Sequence, residues 1–398
     1  MKRISTLLLL ATLVAANVLG QSETDIISKA NDLVADKKYA SAFKVLSDFD
    51  SESKKPDIVL LKEDIALNYF VTSIMHQMFA FKDLEKNEEV QNYRGKQGKF
   101  DMFKFPINEI LDRLIKENPS NYKLYKGLGD YYNDVLLRYQ GGWLKKDKEL
   151  SDLLLKNYQV VIDNKQADFS VFFKVGMEIL TQKRYKESIP YFVESIKLKS
   201  DNADVHYNMA YAYMYTNDLE NALKYAKISY DLYVDKTYKG DAARMIGELY
   251  SELKDSKNAI IYYEIANEIE AGNYYNLKPL LSLYVKTGDA KEKVTMNTFF
   301  LLEPENPTIY NDLGNIYFEN SKSGKLSDFY VSKLSEYEKE PKILGNLHFY
   351  LGQTYLSSNK KLAKEHFLKA NDIFTTIKEK DNGVFNAIKE GIKIADKK

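Results

Sequence analysis

Residues Tyr207 to Ala226 read "YNMAYAYMYTNDLENALKYA". Met209 and Ala210 are followed by Tyr213, then by the polar run Thr216-Asn217-Asp218, then by Ala222 and Ala226 one helical turn apart. Apolar positions spaced by three and four give a helix one buried stripe, and a polar turn between two such runs makes a helical hairpin. The pattern recurs upstream at Val175, Gly176, Ile179, Ser188 and Phe192. It recurs downstream at Ile246, Gly247, Tyr250, Ala259, Tyr263 and Ala266. This stretch is therefore one unit of a repeat.

A small residue marks each unit, at Ala30, Ala66, Gly129, Gly176, Ala210, Gly247, Gly314 and Gly352, with Leu281 in the same slot of a degenerate unit. Most steps along this series lie close to a helical-hairpin period of about 34 residues. The steps from Ala66 to Gly129 and from Gly129 to Gly176 are longer, so these two contain insertions, at 81–103 and 136–148. A small residue where two helices cross lets their backbones approach. One hairpin cannot bury its own stripe, so successive hairpins stack and share a continuous core.

The residues resemble the tetratricopeptide repeat (TPR) family. "YKGLGDYY" (125–132), "YNDLGNIY" (310–317) and "HFYLGQTY" (348–355) match its first helix. Ser188/Phe192 and Ala259/Tyr263 match its second, and Pro119, Pro304 and Pro341 fall near unit ends. No unit carries the tryptophan that the family pattern allows. The resemblance covers about residues 24–378 and implies an all-α, right-handed α-solenoid of about nine helix pairs, closed by a C-terminal capping helix at 382–398. The chain then divides into a leader at 1–20, N-terminal repeats at 24–119, a repeat with an insertion at 120–166, regular repeats at 167–272, a degenerate repeat at 273–306 and further repeats at 307–378. In the degenerate unit Pro279 interrupts the first helix, and Lys293 and Asn297 fill slots meant for Ala and Phe. A local break in regularity is expected there.

Composition agrees with a folded chain, with 44% hydrophobic and 29% charged residues. Lys2 and Arg3 precede the apolar run "LLLLATLV" (7–14), and the small residues Val18 and Gly20 precede Gln21. That layout reads as a secretory signal peptide over residues 1–20, so the chain is expected to be exported, periplasmic or secreted. An N-terminal membrane anchor is the alternative, but the run is shorter than the ~20 residues a span needs. No later segment approaches that length, and no stable membrane span is expected. The chain contains no cysteine, which excludes disulfides and thiolate metal sites. Its Asn-x-Ser/Thr triplets all have Pro in the middle, which leans towards a bacterial origin. Cleavage after Gly20 would remove two of the 57 basic residues and none of the 57 acidic ones, so nothing draws the chain to nucleic acid.

In the family the first helix of each pair lines the concave surface. On this phase the lining residues are Phe173, Met177, Tyr207, Tyr211, Met214 and Tyr215, then Asn311, Asn315, Phe318, Phe349 and Gln353. Tyr213 and Tyr225 are expected in the core. Lys278 and Asn315 fall near the slots of the family's carboxylate clamp, but Ser282, Asn346 and Tyr350 leave that constellation incomplete, and no clamp is expected. "YRGKQGKF" (93–100) lacks the spacing and the Ser/Thr of a phosphate loop and reads as a basic turn, with Arg94 a candidate loop contact. Trp143, the only tryptophan, reads either as a second loop contact or as a pin holding its own loop. His76, His206, His348 and His366 show no metal spacing. Neither a metal, a cofactor nor a catalytic motif is expected, and oligomeric state is left open. The function expected is a non-catalytic exported scaffold for a protein or peptide partner, in cell-envelope assembly or secretion. The alternative is a glycan or peptidoglycan binder using the same aromatic and amide-lined groove.

Overall fold

The structure, a computed structural model, describes residues 22–96, 98 and 100–397. The signal-peptide reading of 1–20 lies outside these residues. The chain divides into two compact units with the boundary after Ser200.

The first unit holds four helix pairs. They are α1 (Glu23–Ala35) with α2 (Tyr39–Phe49), α3 (Pro56–Tyr69) with α4 (Ile107–Glu117), α5 (Tyr122–Tyr139) with α6 (Asp147–Asp163), and α7 (Phe169–Thr181) with α8 (Tyr185–Leu198). The second unit holds five pairs: α9 (Ala203–Tyr215) with α10 (Leu219–Leu232), α11 (Lys236–Glu252) with α12 (Ser256–Ile269), α13 (Tyr274–Thr287) with α14 (Glu292–Leu302), α15 (Pro307–Glu319) with α16 (Ser323–Leu334), and α17 (Pro341–Tyr355) with α18 (Lys360–Thr376). The last helix, α19 (Asn382–Asp396), packs on α18 through Ile388 and Gly391. Nine pairs and a terminal helix among the described residues make the chain an all-α repeat solenoid.

The hairpin turns follow from helix-end chemistry. In "TND" Asn217 takes φ +60°, and the Asp218 amide donates to the Tyr213 carbonyl at 3.0 Å. This is the left-handed ending that satisfies orphan carbonyls. Asp218 then caps α10, its carboxylate accepting from the Asn221 amide. One residue thus closes the first helix and opens the second. Lys254 and Asp255 repeat the device before α12, with φ +61° at Lys254 and Asp255 accepting from Asn258. Gly288 supplies the left-handed residue after α13.

In four units the small residue faces the second helix, whereas a Cβ on Gly314 would meet only Phe318 of its own helix. A Cβ on Gly129 would lie 2.5 Å from the Tyr158 ring, one on Gly176 2.7 Å from Phe192, one on Gly247 3.0 Å from Tyr263 and one on Gly352 2.7 Å from Phe367. Where Ala replaces Gly, the facing slot shrinks. Ala210 shares its buried cluster with Ala226, which stands where the Gly129, Gly176, Gly247 and Gly352 units carry a ring. In the degenerate unit α13 runs on through Pro279, and Met296, Phe299 and Phe300 are buried in place of the Lys293 and Asn297 slots.

The segment between α3 and α4 encloses the insertion at 81–103 and carries a three-stranded antiparallel sheet, β1 (Thr72–Ile74), β2 (Met78–Ala80) and β3 (Met102–Lys104), in that order. The helical periodicity of the sequence does not foreshadow this sheet. The β1–β2 turn places Met75 and His76 at φ +46° and +50°, the left-handed values of a type I′ turn, usually met by Asn or Gly. The α5 helix and its following loop hold this turn in place. Trp143 donates to the Met75 carbonyl at 2.6 Å, Tyr131 to the His76 carbonyl at 2.9 Å, and the His76 amide donates to the Tyr139 hydroxyl at 3.2 Å. His76 is fully buried, with Nε2 2.7 Å from Asp134 and Nδ1 3.1 Å from Ser73. Ser73 shares its hydroxyl with Tyr139 at 2.9 Å, so this serine–histidine–aspartate row is a buried clasp on a strained turn.

The crossing geometry predicts opposite signs at two glycines. Gly176→Ala will destabilise by about 1–2 kcal/mol, overpacking against Phe192 outweighing the better helix propensity of Ala. Gly324→Ala, whose Cβ meets nothing within 4 Å, will stabilise by about 0.5 kcal/mol. Urea unfolding midpoints of the two variants check this, and two shifts of the same sign would refute it.

Candidate functional site

In the second unit α9 presents the tyrosine-rich face. Tyr211 and Tyr215 lie with ring centroids 4.6 Å apart and planes tilted by 42°. Tyr215 is 53% exposed, while Tyr207, Tyr211 and Met214 are half-buried. Tyr207 meets Tyr233 edge-on at 6.3 Å, and the Tyr233 hydroxyl donates to Asp204 at 2.8 Å. Burial raises the Tyr207 pKa, and the charge of Asp241 on α11 adds to it. Tyr213 and Tyr225 are stacked at 5.7 Å and half-buried, so the expectation that they form core is corrected. The core between α9, α10 and α11 is the alanine set Ala210, Ala222 and Ala226 with Met245, Ile246 and Leu249, and the tyrosines flank it.

Farther along the same unit Asn311, Asn315, Phe318 and Gln353 line one small cavity of about 70 Å³ with Tyr310 and Tyr350. Phe349 does not join them. It is 7% exposed and packs on Tyr350 and Phe367, so it is core. Its place follows from α17, whose residues Gly345 to Gly352 are all buried, leaving no polar side on that stretch. Burial pushes the Tyr350 hydroxyl up to about 12. Lys278 is engaged by Asp312 at 2.7 Å, which takes its charge away from Asn315.

In the first unit Phe173 stacks on Phe169 at 6.0 Å and tilts against Phe192, while Met177 is half-buried beside it. The two candidate loop contacts are both occupied internally. Arg94 donates to the Phe70 and Asn68 carbonyls and lies 4.3 Å over the Phe70 ring. Trp143 is 8% exposed and clamps the β1–β2 turn, so of its two readings the structure places it as the pin.

The sequence reading did not single out a charged cleft of about 450 Å³ on the first helices α3, α5 and α7. Glu63, Asp64, Lys126, Asp130, Asn133 and Lys174 face it. Asp130 accepts from Lys126 at 2.8 Å, from Lys174 at 2.5 Å and from Tyr158 at 2.7 Å. Although burial opposes this, the two lysines hold its carboxyl below the usual range. The signal was available. The lining residues of the later units stand three before, one after and four after the small residue, and the same offsets from Ala66 and Gly129 select Glu63, Lys126, Asp130 and Asn133.

His76, His206 and His348 are buried. His348 and His366 meet through their Nδ1 atoms at 2.8 Å, one donating and the other accepting. Burial lowers both, His348 to about 4, helped by the neighbouring imidazole and Lys369. No group of three His, Asp or Glu among the described residues is placed to hold a metal ion. No described helix is long and apolar enough to cross a membrane.

With this geometry the class is that of a helical-repeat protein with side chains displayed on its first helices. The tetratricopeptide repeat profile matches residues 203–227 and 245–273, and the chain carries tetratricopeptide repeats. None of the curated proteins matches it. Among solved structures, a tetratricopeptide repeat protein from Parabacteroides merdae is 17% identical, with 69% of this chain and 99% of that one covered and a TM-score of 0.42. MamA from Desulfovibrio magneticus is 14% identical over 46% of this chain and 93% of its own, with a TM-score of 0.38. YrrB, described as a TPR protein with an unusual peptide-binding site, is 14% identical over 58% of this chain and 97% of its own, with a TM-score of 0.34.

The histidine pair generates a pH prediction. The unfolded chain takes up a proton on His348 near 6.5, the folded chain only near 4. Stability from this group is therefore complete above about pH 6.5 and lost as pH falls towards 4, by at most about 3 kcal/mol. His348→Phe will flatten that part of the decline. Urea unfolding of both proteins between pH 7 and 4 checks this, and parallel curves would refute it.

Proposed function

We propose that the chain is a non-catalytic scaffold that binds a protein or peptide segment along the concave face expected of its first helices, and that it acts after export, in cell-envelope assembly or secretion. The observation that carries this reading is the α9 face, where Tyr207, Tyr211, Met214 and Tyr215 stand together with Tyr215 largely exposed. Tyrosines give a large contact area at low entropic cost and a hydroxyl for hydrogen bonding to peptide backbone. The asparagine and glutamine side chains around Phe318 add amide groups of the kind that pair with an extended segment. Tetratricopeptide repeats generally serve as interaction scaffolds, which supports the reading by analogy of class.

The same tyrosines speak against the glycan alternative. A sugar platform needs a flat exposed ring, whereas Tyr211 and Tyr215 are tilted against each other and Tyr207 is half-buried against Tyr233. Export rests on the basic, apolar and small-residue order of residues 1–20.

The test is affinity capture from extract of the source organism, with the captured partner identified by mass spectrometry and then titrated as a pure protein. The triple variant Tyr207→Ala, Tyr211→Ala, Tyr215→Ala, confirmed as helical by circular dichroism, should bind that partner at least ~10-fold more weakly, a loss of about 1.4 kcal/mol. A partner bound equally by both proteins would remove the site from α9. Capture of no protein by the wild type would overturn the scaffold reading.

A further inference from the structure

The charged cleft of the first unit is built around a carboxyl group that the protein does not satisfy. Glu63, on α3, is 3% exposed and lines the cleft, and its Oε1 makes no hydrogen bond among the described residues. An uncompensated buried polar atom costs about 1–3 kcal/mol, so its presence asks for an explanation. Room for it is made by a glycine on the neighbouring first helix. A Cβ on Gly127 would collide with Glu63 Oε2. The repeat pattern does not require glycine there, because the crossing residue of that unit is Gly129, which faces Tyr158. Gly127 therefore makes room for the carboxyl group and for Leu60, whose Cδ2 would lie 2.8 Å from the same Cβ.

The charges around the cleft pair off and leave two carboxyls over. Lys126 and Lys174 are held by Asp130, with Asp168 3.8 Å from Lys126. Asp134 is paired with Arg138 and His76. Lys123 lies 4.0 Å from Asp57. Glu63 has no basic partner among the described residues, and Asp64 has only the Asn68 amide, at 2.9 Å. With Glu63 ionised, the groups nearest it, Asp64, Lys126, Asp130 and Lys174, leave the cleft one negative charge in excess.

We propose that this cleft is a binding site for an ammonium or guanidinium group, carried by a lysine or arginine side chain of a bound peptide. The cation would pair with the Glu63 carboxylate at the floor and with Asp64 at the rim. Arg suits the site because its planar fork can reach two carboxyls at once. Asn133, on the same wall, offers an amide to the peptide backbone around it. The peptide part rests on the scaffold reading above, whereas the cation part rests on the cleft alone.

Proton linkage gives the site a distinctive readout. Burial first, then the charge of Asp130, lifts the Glu63 pKa well above the usual carboxylate range. Burial favours the protonated carboxyl and a paired cation favours the ionised one, so filling the site is expected to release protons.

The test is calorimetric titration of the purified protein with N-acetyl-L-arginine amide, a capped monocation, at pH 6 in two buffers of different ionisation enthalpy. Saturable one-to-one binding is expected, with a heat that depends on the buffer because up to one proton leaves per site. Glu63→Gln, which imitates the protonated acid, should keep the urea midpoint, weaken binding at least ~10-fold and abolish the buffer dependence. Asp64→Asn, at the exposed rim, should weaken binding several-fold without risk to the fold. Absence of saturation by about 10 mM, unchanged binding by Glu63→Gln, or preferential binding of N-acetyl-L-aspartate amide at the lysines would each overturn the proposal. Arginine binding without any captured protein partner would keep the cation site and sink the peptide reading. A captured partner without arginine binding would do the reverse.

Discussion

Every hairpin of this protein depends on how closely its two helices can cross. That distance is set by one residue on the first helix and one on the second. Glycine faces a ring in the pairs Gly176/Phe192, Gly247/Tyr263 and Gly352/Phe367. Alanine faces alanine in Ala210/Ala226. The alanine pair fills less space than a glycine and a ring, and tyrosines including Tyr207, Tyr213 and Tyr225 pack around it.

Fixing the crossing decides what the rest of the first helix can do. Its stripe towards the second helix is committed to packing, and the opposite side is left for display. In the second unit that side carries tyrosines on α9 and amides on α15, while in the first unit it carries Glu63, Lys126, Asp130 and Lys174. One scaffold therefore offers aromatic, amide and ionic surfaces from equivalent positions. None of these side chains is arranged as a nucleophile with its base at an open pocket. The serine–histidine–aspartate row of Ser73, His76 and Asp134 surrounds a fully buried imidazole.

Much of this was legible in order along the chain. The repeat length, the small residue, the turn signals and the caps are local, and each acts through neighbours within about one helical turn. The helix pairs fall where the small residues count them. The expected lining residues were legible as well, but only as positions on a helix. Tyr207, Tyr211 and Tyr215 emerged on one face, whereas Phe349 emerged as core because α17 is buried on nearly every side from Gly345 to Gly352. Tyr213 and Tyr225 went the other way and pack half-buried against the alanine cluster.

By itself the sequence determined the architecture, since a regular hairpin-length period with one small residue in each unit admits few structures other than stacked helical hairpins. It also marked candidate lining positions on the first helices, without deciding which of them stay open. Tertiary structure alone decided which available positions gather into a site. Glu63 and Lys126 are separated in sequence by a small sheet and the whole of α4, and only the packing of α3 beside α5 makes them neighbours. It alone decided that Trp143 holds a turn instead of facing outward, because its partner is the Met75 carbonyl, far away along the chain. The physical reason is the range of the forces involved. Helix periodicity and capping are satisfied within one or two turns, whereas burial, charge pairing and an orphaned carboxyl depend on which distant helices pack against each other.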